Sequence, residues 1–260
     1  MPNRLRPLPR IMVAPNGARR QKRHHPNIPI EAREIVADAK ACFEAGADGI
    51  HLHIREKDGR HLLDAGRYQD LLDRLTQVVP EMYLQVTSEA AGRYTAQKQC
   101  EMIMELVPDF VSVGFREINP PRQELNEAKR FYQSAYNSTI RIQHILYSKE
   151  DVINFAKAIG SGIIPDDQIH VLHVIGAYKG EATSNPAEIA PRVKLLEQLA
   201  PGKHIDWMVC AFGSTETACL LEAINLGGKV RIGFENSIWH PNGDVAESNA
   251  DRIRNFISLV

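Results

Sequence analysis

Short apolar runs alternate with longer stretches of mixed character almost from end to end of the chain. The runs, rich in Val and Ile, fall at 10–14, 49–54, 82–87, 110–114, 140–146, 169–175, 204–209 and 230–234. Each has strand length. Between and after them, at 31–45, 66–79, 95–107, 122–136, 149–160, 186–199, 214–226 and 246–258, apolar residues recur every three or four positions, the spacing of one helix face. The pattern predicts about eight β-then-α units.

Strands of this kind, separated by helices of ten to fifteen residues, pair in parallel through right-handed crossovers. About eight such units in 260 residues match a closed (β/α)8 TIM barrel better than an open doubly wound α/β sheet, although periodicity alone does not distinguish closure. No Pro/Gly/Ser linker or low-complexity tract divides the chain, so one catalytic domain is expected over 1–260.

Composition narrows the functional classes. A hydrophobic content of 43% is enough for one large core, and 31 basic against 32 acidic residues leave a net charge of −1, which favours neither nucleic acid nor a membrane surface. No apolar run approaches the length of a bilayer crossing, and the basic N-terminal stretch lacks a continuous apolar segment of the secretory type. A cytoplasmic location is expected. Cys42, Cys100, Cys210 and Cys219 are scattered, form no CxxC, and read as free thiols.

A barrel places its chemistry at the C-terminal ends of its strands, and polar residues collect there: Asn16 and Gly17; His51, His53 and Arg55; Thr87, Ser88 and Glu89; Arg116 and Glu117; Tyr178 and Lys179; Glu235, Asn236 and Ser237. The pair His51 and His53 carries the strongest signal, because a strand's period of two points both imidazoles to one face. Two such imidazoles lack one carboxylate of a three-ligand catalytic metal site. Glu235 ends an otherwise apolar strand, where an unpaired charge would be costly, and from across the barrel mouth it would complete a His2Glu set with an open position. Zn2+ is the simplest cation for those donors, and Fe2+, Mn2+ and Co2+ accept them too. The competing reading pairs Glu235 with Arg231 or Arg55 and leaves one histidine in the core and the other on the surface. His144, His170 and His173 lack a partner pattern and read as structural.

Three stretches together resemble the β-keto acid cleavage enzyme family: the run from Cys42 through His51, His53 and Arg55 to Arg60, the early Ala14-Pro15-Asn16-Gly17-Ala18, and the late run from Arg231 to Ile238 with Ala246-Glu247-Ser248-Asn249-Ala250. The resemblance spans essentially the whole chain. It implies a (β/α)8 barrel in a homotetramer that binds one Zn2+ through His51, His53 and Glu235. It also implies a reaction in which a β-keto acid and acetyl-CoA give acetoacetate and a new CoA thioester. Arg231 falls where the family has an arginine near the reacting centre, and Thr87, with Ser88 beside it, where the family has a hydroxyl. Thr87, Ser88 and Asn16 are candidates to hold an oxyanion, and Arg55 and Ser112 are further candidates to meet substrate.

The chain also departs from the family. Asn236 stands where an aspartate is usual, and an amide neither carries charge nor accepts a proton at neutral pH. Arg19 stands where the type member has a glutamate facing its substrate's amino group, which predicts a substrate with an anionic or neutral distal group. Near Ser112 the family's asparagine is missing: Gly114, Arg116 and Glu117 follow instead. The basic segment 19–25 and the loop 176–180 are candidate covers for CoA or substrate, each equally readable as solvated loop. No glycine-rich phosphate loop is present. The sequence therefore predicts a metal-dependent enzyme acting on a small β-keto acid and acetyl-CoA, with neither nucleic acid nor membrane as partner. A CoA-independent metal aldolase or hydrolase, and a metal- or ligand-binding barrel that has lost turnover, are the alternatives.

Overall fold

The computed structural model describes residues 6–119, 125–165, 168–177 and 184–260. In chain order the first half runs β1 (Ile11–Val13), α1 (Ala32–Glu44), β2 (Gly49–Leu52), β3 (Ile54–Arg55), β4 (His61–Leu62), α2 (Ala65–Val78), β5 (Tyr83–Thr87), α3 (Ala96–Leu106), β6 (Phe110–Gly114) and α4 (Phe115–Ile118). The second half runs α5 (Leu125–Asn137), β7 (Arg141–Leu146), α6 (Lys149–Gly160), β8 (Gln168–Ile175), α7 (Ile189–Leu199), β9 (His204–Ala211), α8 (Glu216–Asn225), β10 (Lys229–Ile232) and α9 (Asn249–Ile257). Eight strands pair in parallel and close on themselves in the order β1-β10-β9-β8-β7-β6-β5-β2. This is the (β/α)8 barrel that the apolar pattern predicts.

Alternation along the strands divides the core in two. Ile50, Leu52, Val111, Val171, Val209 and Ile232 pack with Ile35, Tyr68, Phe155, Leu196 and Ile253 of the surrounding helices. Residues of the opposite parity, including Met12, Phe110, Ile145, Leu172, Met208 and Phe212, form a second cluster inside the barrel. Burial of each such side chain stabilises the fold by roughly 1.5–3 kcal/mol. Four helices start at side-chain caps, Asp64, Thr95, Ser148 and Ser248, each accepting a backbone N–H, a device worth about 0.5–2 kcal/mol apiece. The N-terminal segment closes the far end of the barrel: Leu8 N–H donates to Asp206 Oδ2 (2.8 Å), which also meets Lys229 Nζ (2.6 Å), and Arg141 donates to the Arg6 carbonyl.

Three elements differ from the sequence expectation, all of them at the active end. The apolar pattern predicts a second strand that continues through residue 54. Instead β2 stops at Leu52, and Ile54–Arg55 turns away to pair antiparallel with His61–Leu62. Buried Arg55 drives that departure, because its guanidinium donates to the carbonyls of Asn16, Gly17, Arg20 and Gly59 and ties the hairpin to the loop after β1. The last strand stops at Ile232, so Glu235 sits in the following turn rather than on the strand. The short helix α4 had no counterpart in the apolar pattern. Tyr178 and Lys179, with most of the 176–180 loop, lie outside the described residues. Among the described residues no helix is long and apolar enough to cross a membrane.

Candidate active site

His51 on β2 and His53 just beyond it are both about 1% exposed, and their Nε2 atoms lie 3.0 Å apart at the C-terminal end of the barrel. Glu235 Oε2 is 3.7 Å from each Nε2, and the three candidate ligand atoms lie within 4.8 Å of one another. The backbone dictates this placement. After β10 the chain turns at Gly233 (φ +144°), where a Cβ would come within 2.5 Å of the Ala14 carbonyl oxygen. That carbonyl accepts the Glu235 N–H at 3.0 Å. Only glycine allows the approach that aims Glu235 at the histidines.

The donor set fits a borderline divalent cation. Separations of 3.0 and 3.7 Å bracket the roughly 3.3 Å edge of a tetrahedral site with bonds of about 2.0–2.1 Å. His51 Nδ1 lies 2.8 Å from Gln85 Oε1, while Gln85 Nε2 donates to Gln143 Oε1 at 2.9 Å. With the amide so oriented, Nδ1 of His51 carries the proton and Nε2 offers its lone pair to the site. Burial, with Arg231 next for His51 and the neighbouring His51 next for His53, holds both imidazoles well below the usual histidine range. They are therefore neutral, which is the ligating form, and their contacts with Glu235 are not ion pairs. Arg231 Nη2 lies 3.3 Å from Glu235 Oε1 and 3.6 Å from Cys210 Sγ.

His51, Arg231 and Glu235 open onto a cavity of about 300 Å³, with His53 packed behind them. His51, Thr87, Arg231 and Glu235 lie at its base, Ile145, Tyr147, Val174 and Phe212 along its wall, and Arg19, Arg116, Glu89 and Glu117 around its charged rim. Glu89 is pushed up to about 7, by burial first and then by Glu235 and Glu117, and its Oε2 lies 3.9 Å from His53 Nε2. Burial also raises Glu117, which accepts the Ala90 N–H at 3.0 Å. The Arg116 guanidinium stacks 4.0 Å above the Tyr147 ring.

Of the residues singled out in the sequence, the cavity brings together Arg19, His51, Thr87, Glu89, Arg116, Glu117, Arg231 and Glu235, and His53 adjoins it through His51 and Glu235. Five others lie elsewhere. Asn16 is buried and donates to the carbonyls of Pro29 (2.8 Å) and His53 (3.1 Å). Ser88 donates to the Ser112 carbonyl at 3.0 Å, and Ser112 and Asn236 are buried without lining the cavity. Arg55, committed to backbone carbonyls, borders a separate groove of about 580 Å³ together with Gln21, Lys22, Lys57 and Arg67. The sequence reading missed Tyr147, Ile145 and Phe212 as wall residues, and Gln85 and Gln143 as supports. The two glutamines left a signal, being polar residues inside apolar strands at the parity that faces the barrel interior.

Residues 10–260 match the family model described as beta-keto acid cleavage enzyme. The chain is 26% identical to the 3-keto-5-aminohexanoate cleavage enzyme of Acetoanaerobium sticklandii, over 96% of this chain and 90% of that protein. It is 27% identical to the 3-oxoadipate:acetyl-CoA acetyltransferase of Cupriavidus necator, over 96% and 87%. Among solved structures, ObcA in ternary complex with a C4-CoA adduct and oxalate superposes with a TM-score of 0.69 at 13% identity, covering 90% of this chain. The chain spans only 64% of ObcA's length, and at that identity the likeness concerns the barrel fold.

Proposed function

The chain belongs to the β-keto acid cleavage enzyme family and is an enzyme of the acyltransferase/lyase type, and from that premise we propose that it works at a Zn2+ site made by His51, His53 and Glu235. A β-keto acid and acetyl-CoA exchange acyl groups: the bond between the keto carbon and C2 breaks, acetyl is transferred to C2 to give acetoacetate, and the remaining acyl group leaves as a CoA thioester. The observation that carries this reading is the convergence of two neutral imidazoles and a carboxylate at the base of a cavity at the barrel mouth, beside a buried guanidinium.

Bound there, the cation supplies Lewis-acid polarisation of the keto acid's carbonyl. Arg231, next to Glu235, offers positive charge to the substrate carboxylate. The Thr87 hydroxyl, at the cavity base, donates to the oxyanion that develops on the attacked thioester. Asn16, Ser88 and Arg55 support the backbone around this centre through their hydrogen bonds to carbonyls, and Ser112 and Asn236 are buried outside the cavity lining. Glu89 and Glu117 are both held toward their neutral forms by burial, so Arg19 and Arg116 set the sign of charge at the rim, and the favoured substrate has an anionic or neutral tail. The naming of one relative for 3-oxoadipate and acetyl-CoA supports this choice. Assembly as a cytoplasmic homotetramer completes the proposal and is checked by light scattering of the purified protein.

The decisive experiment measures acetoacetate formed by metal-quantified protein from acetyl-CoA and β-keto acids with cationic, neutral and anionic tails. Turnover that needs both acetyl-CoA and metal, and is highest with an anionic or neutral tail, supports the reading. Stoichiometric metal without turnover overturns it in favour of CoA-independent metal chemistry or a binding role, which Asn236 at the family's aspartate position would favour.

A further inference from the structure

The two segments that bear the candidate ligands are not neighbours in the sheet. β1 lies between β2, which leads to His51 and His53, and β10, which leads to Glu235. Their separation at the barrel mouth therefore depends on what joins the turns beyond these strands. Asn249, at the start of α9 and fully buried, makes that joint. Its Oδ1 accepts the Phe234 N–H at 2.8 Å, one residue before Glu235. Its Nδ2 donates to the Pro15 carbonyl at 3.2 Å and to Asp38 Oδ2 of α1 at 2.9 Å. The next residue, Asn16, donates in turn to the His53 carbonyl. A continuous line of hydrogen bonds thus runs from the turn holding Glu235, across the end of β1, to the backbone of His53.

We propose that Asn249, oriented by Asp38, is a positioning residue that sets the metal affinity of the His51–His53–Glu235 site. The inference rests on the metal reading above. The amide is specifically required. Phe234 needs an acceptor, Pro15 and Asp38 need donors, and a carboxylate at 249 would supply no donor to the Pro15 carbonyl and would set two carboxyl groups against each other at Asp38. Outer supports of this kind typically change metal affinity by about 10–100-fold when broken.

The test titrates the metal-stripped full chain with Zn2+ against a chromogenic chelator, alongside the thermal midpoint of the metal-free protein. N249D is expected to bind Zn2+ at least tenfold more weakly than the parent chain. D38N combined with N249D restores a donor opposite position 249 and is expected to recover much of that loss. Phe155→Leu, which opens space in the outer core beside Phe115 and His144, is expected to lower the thermal midpoint and leave Zn2+ affinity unchanged. Should N249D fail to fold, Asn249→Gln, which keeps the amide but displaces it by one methylene, is expected to show the same weakening. Affinity within twofold of the parent in the folded variant, or affinity that follows the thermal midpoint equally in N249D and Phe155→Leu, overturns the inference. Equal Zn2+ binding by the parent chain and His51→Ala overturns the metal reading instead.

Discussion

The floor and the rim of the cavity are built on opposite principles. On the floor, His51, His53, Arg231 and Glu235 are all under 5% exposed, and the histidines and Glu235 sit on strand ends or a turn fixed by backbone hydrogen bonds. Behind them, Gln85 and Gln143 fix the tautomer of His51. At the rim, Arg19 and Arg116 are exposed and stand on a loop and a single helical turn. Groups whose geometry must be accurate to a fraction of an ångström belong on rigid elements, whereas groups that read a substrate's tail tolerate loops. On the proposed reading, the floor carries the reaction and the rim selects which substrate undergoes it.

The comparison breaks most sharply at the ligands. His51→Ala and Glu235→Ala are expected to lose bound metal and to lower acetoacetate formation by on the order of 10³-fold or more, because Lewis-acid stabilisation amounts to several kcal/mol. Metal analysis and a single-substrate rate assay check this for every tail, since the floor serves them all. One layer deeper, Gln85→Leu removes the acceptor for His51 Nδ1–H and should weaken Zn2+ binding by about 10–100-fold with no change in tail preference. A rim substitution should do the reverse. Arg19→Glu is expected to move the ratio of kcat/KM for anionic over cationic keto acids by roughly tenfold, about 1.4 kcal/mol, and to leave metal content unchanged. Loss of metal in Arg19→Glu would end the division of labour.

The smallest effect concerns stability. Burial pushes Asp38 up to about 7 from an unfolded value near 3.8. A carboxyl with a raised folded-state pKa stabilises the fold below its unfolded value, and that contribution is lost as pH rises through the folded one. D38N should therefore flatten the decline in thermal midpoint between about pH 4 and pH 7. A pH profile of thermal unfolding for D38N that parallels the parent chain would count against the linkage.

How far the molecule was legible varies with how local each signal is. The eight barrel strands and their helices could be read because apolar periodicity reports which face of an element is buried, and the described strands lie within a few residues of the expected ranges. The early end of β2 could not be read, because Ile54 and Arg55 continue the apolar rhythm while the cause of the break, four carbonyls around the Arg55 guanidinium, comes from residues 16–20 and 59. Asn16, Ser88 and Ser112 looked like substrate contacts because polar residues at strand ends are common to both active sites and turns. Only their partners, the Pro29, His53 and Ser112 carbonyls, mark Asn16 and Ser88 as parts of the scaffold.

Local patterns in the chain are enough for the fold class and the chemical types at the floor, since a period of two puts His51 and His53 on one face and strand ends of a barrel are where its chemistry sits. How those types meet follows from the three-dimensional fold. Closure of the sheet, the Gly233 turn and the Asn249 bridge bring Glu235 to within 3.7 Å of both imidazoles from nearly two hundred residues away. The same closure makes Glu89, Glu117 and Arg116 share a rim with Arg19, because distances between the ends of non-adjacent strands follow from barrel geometry and not from any local pattern.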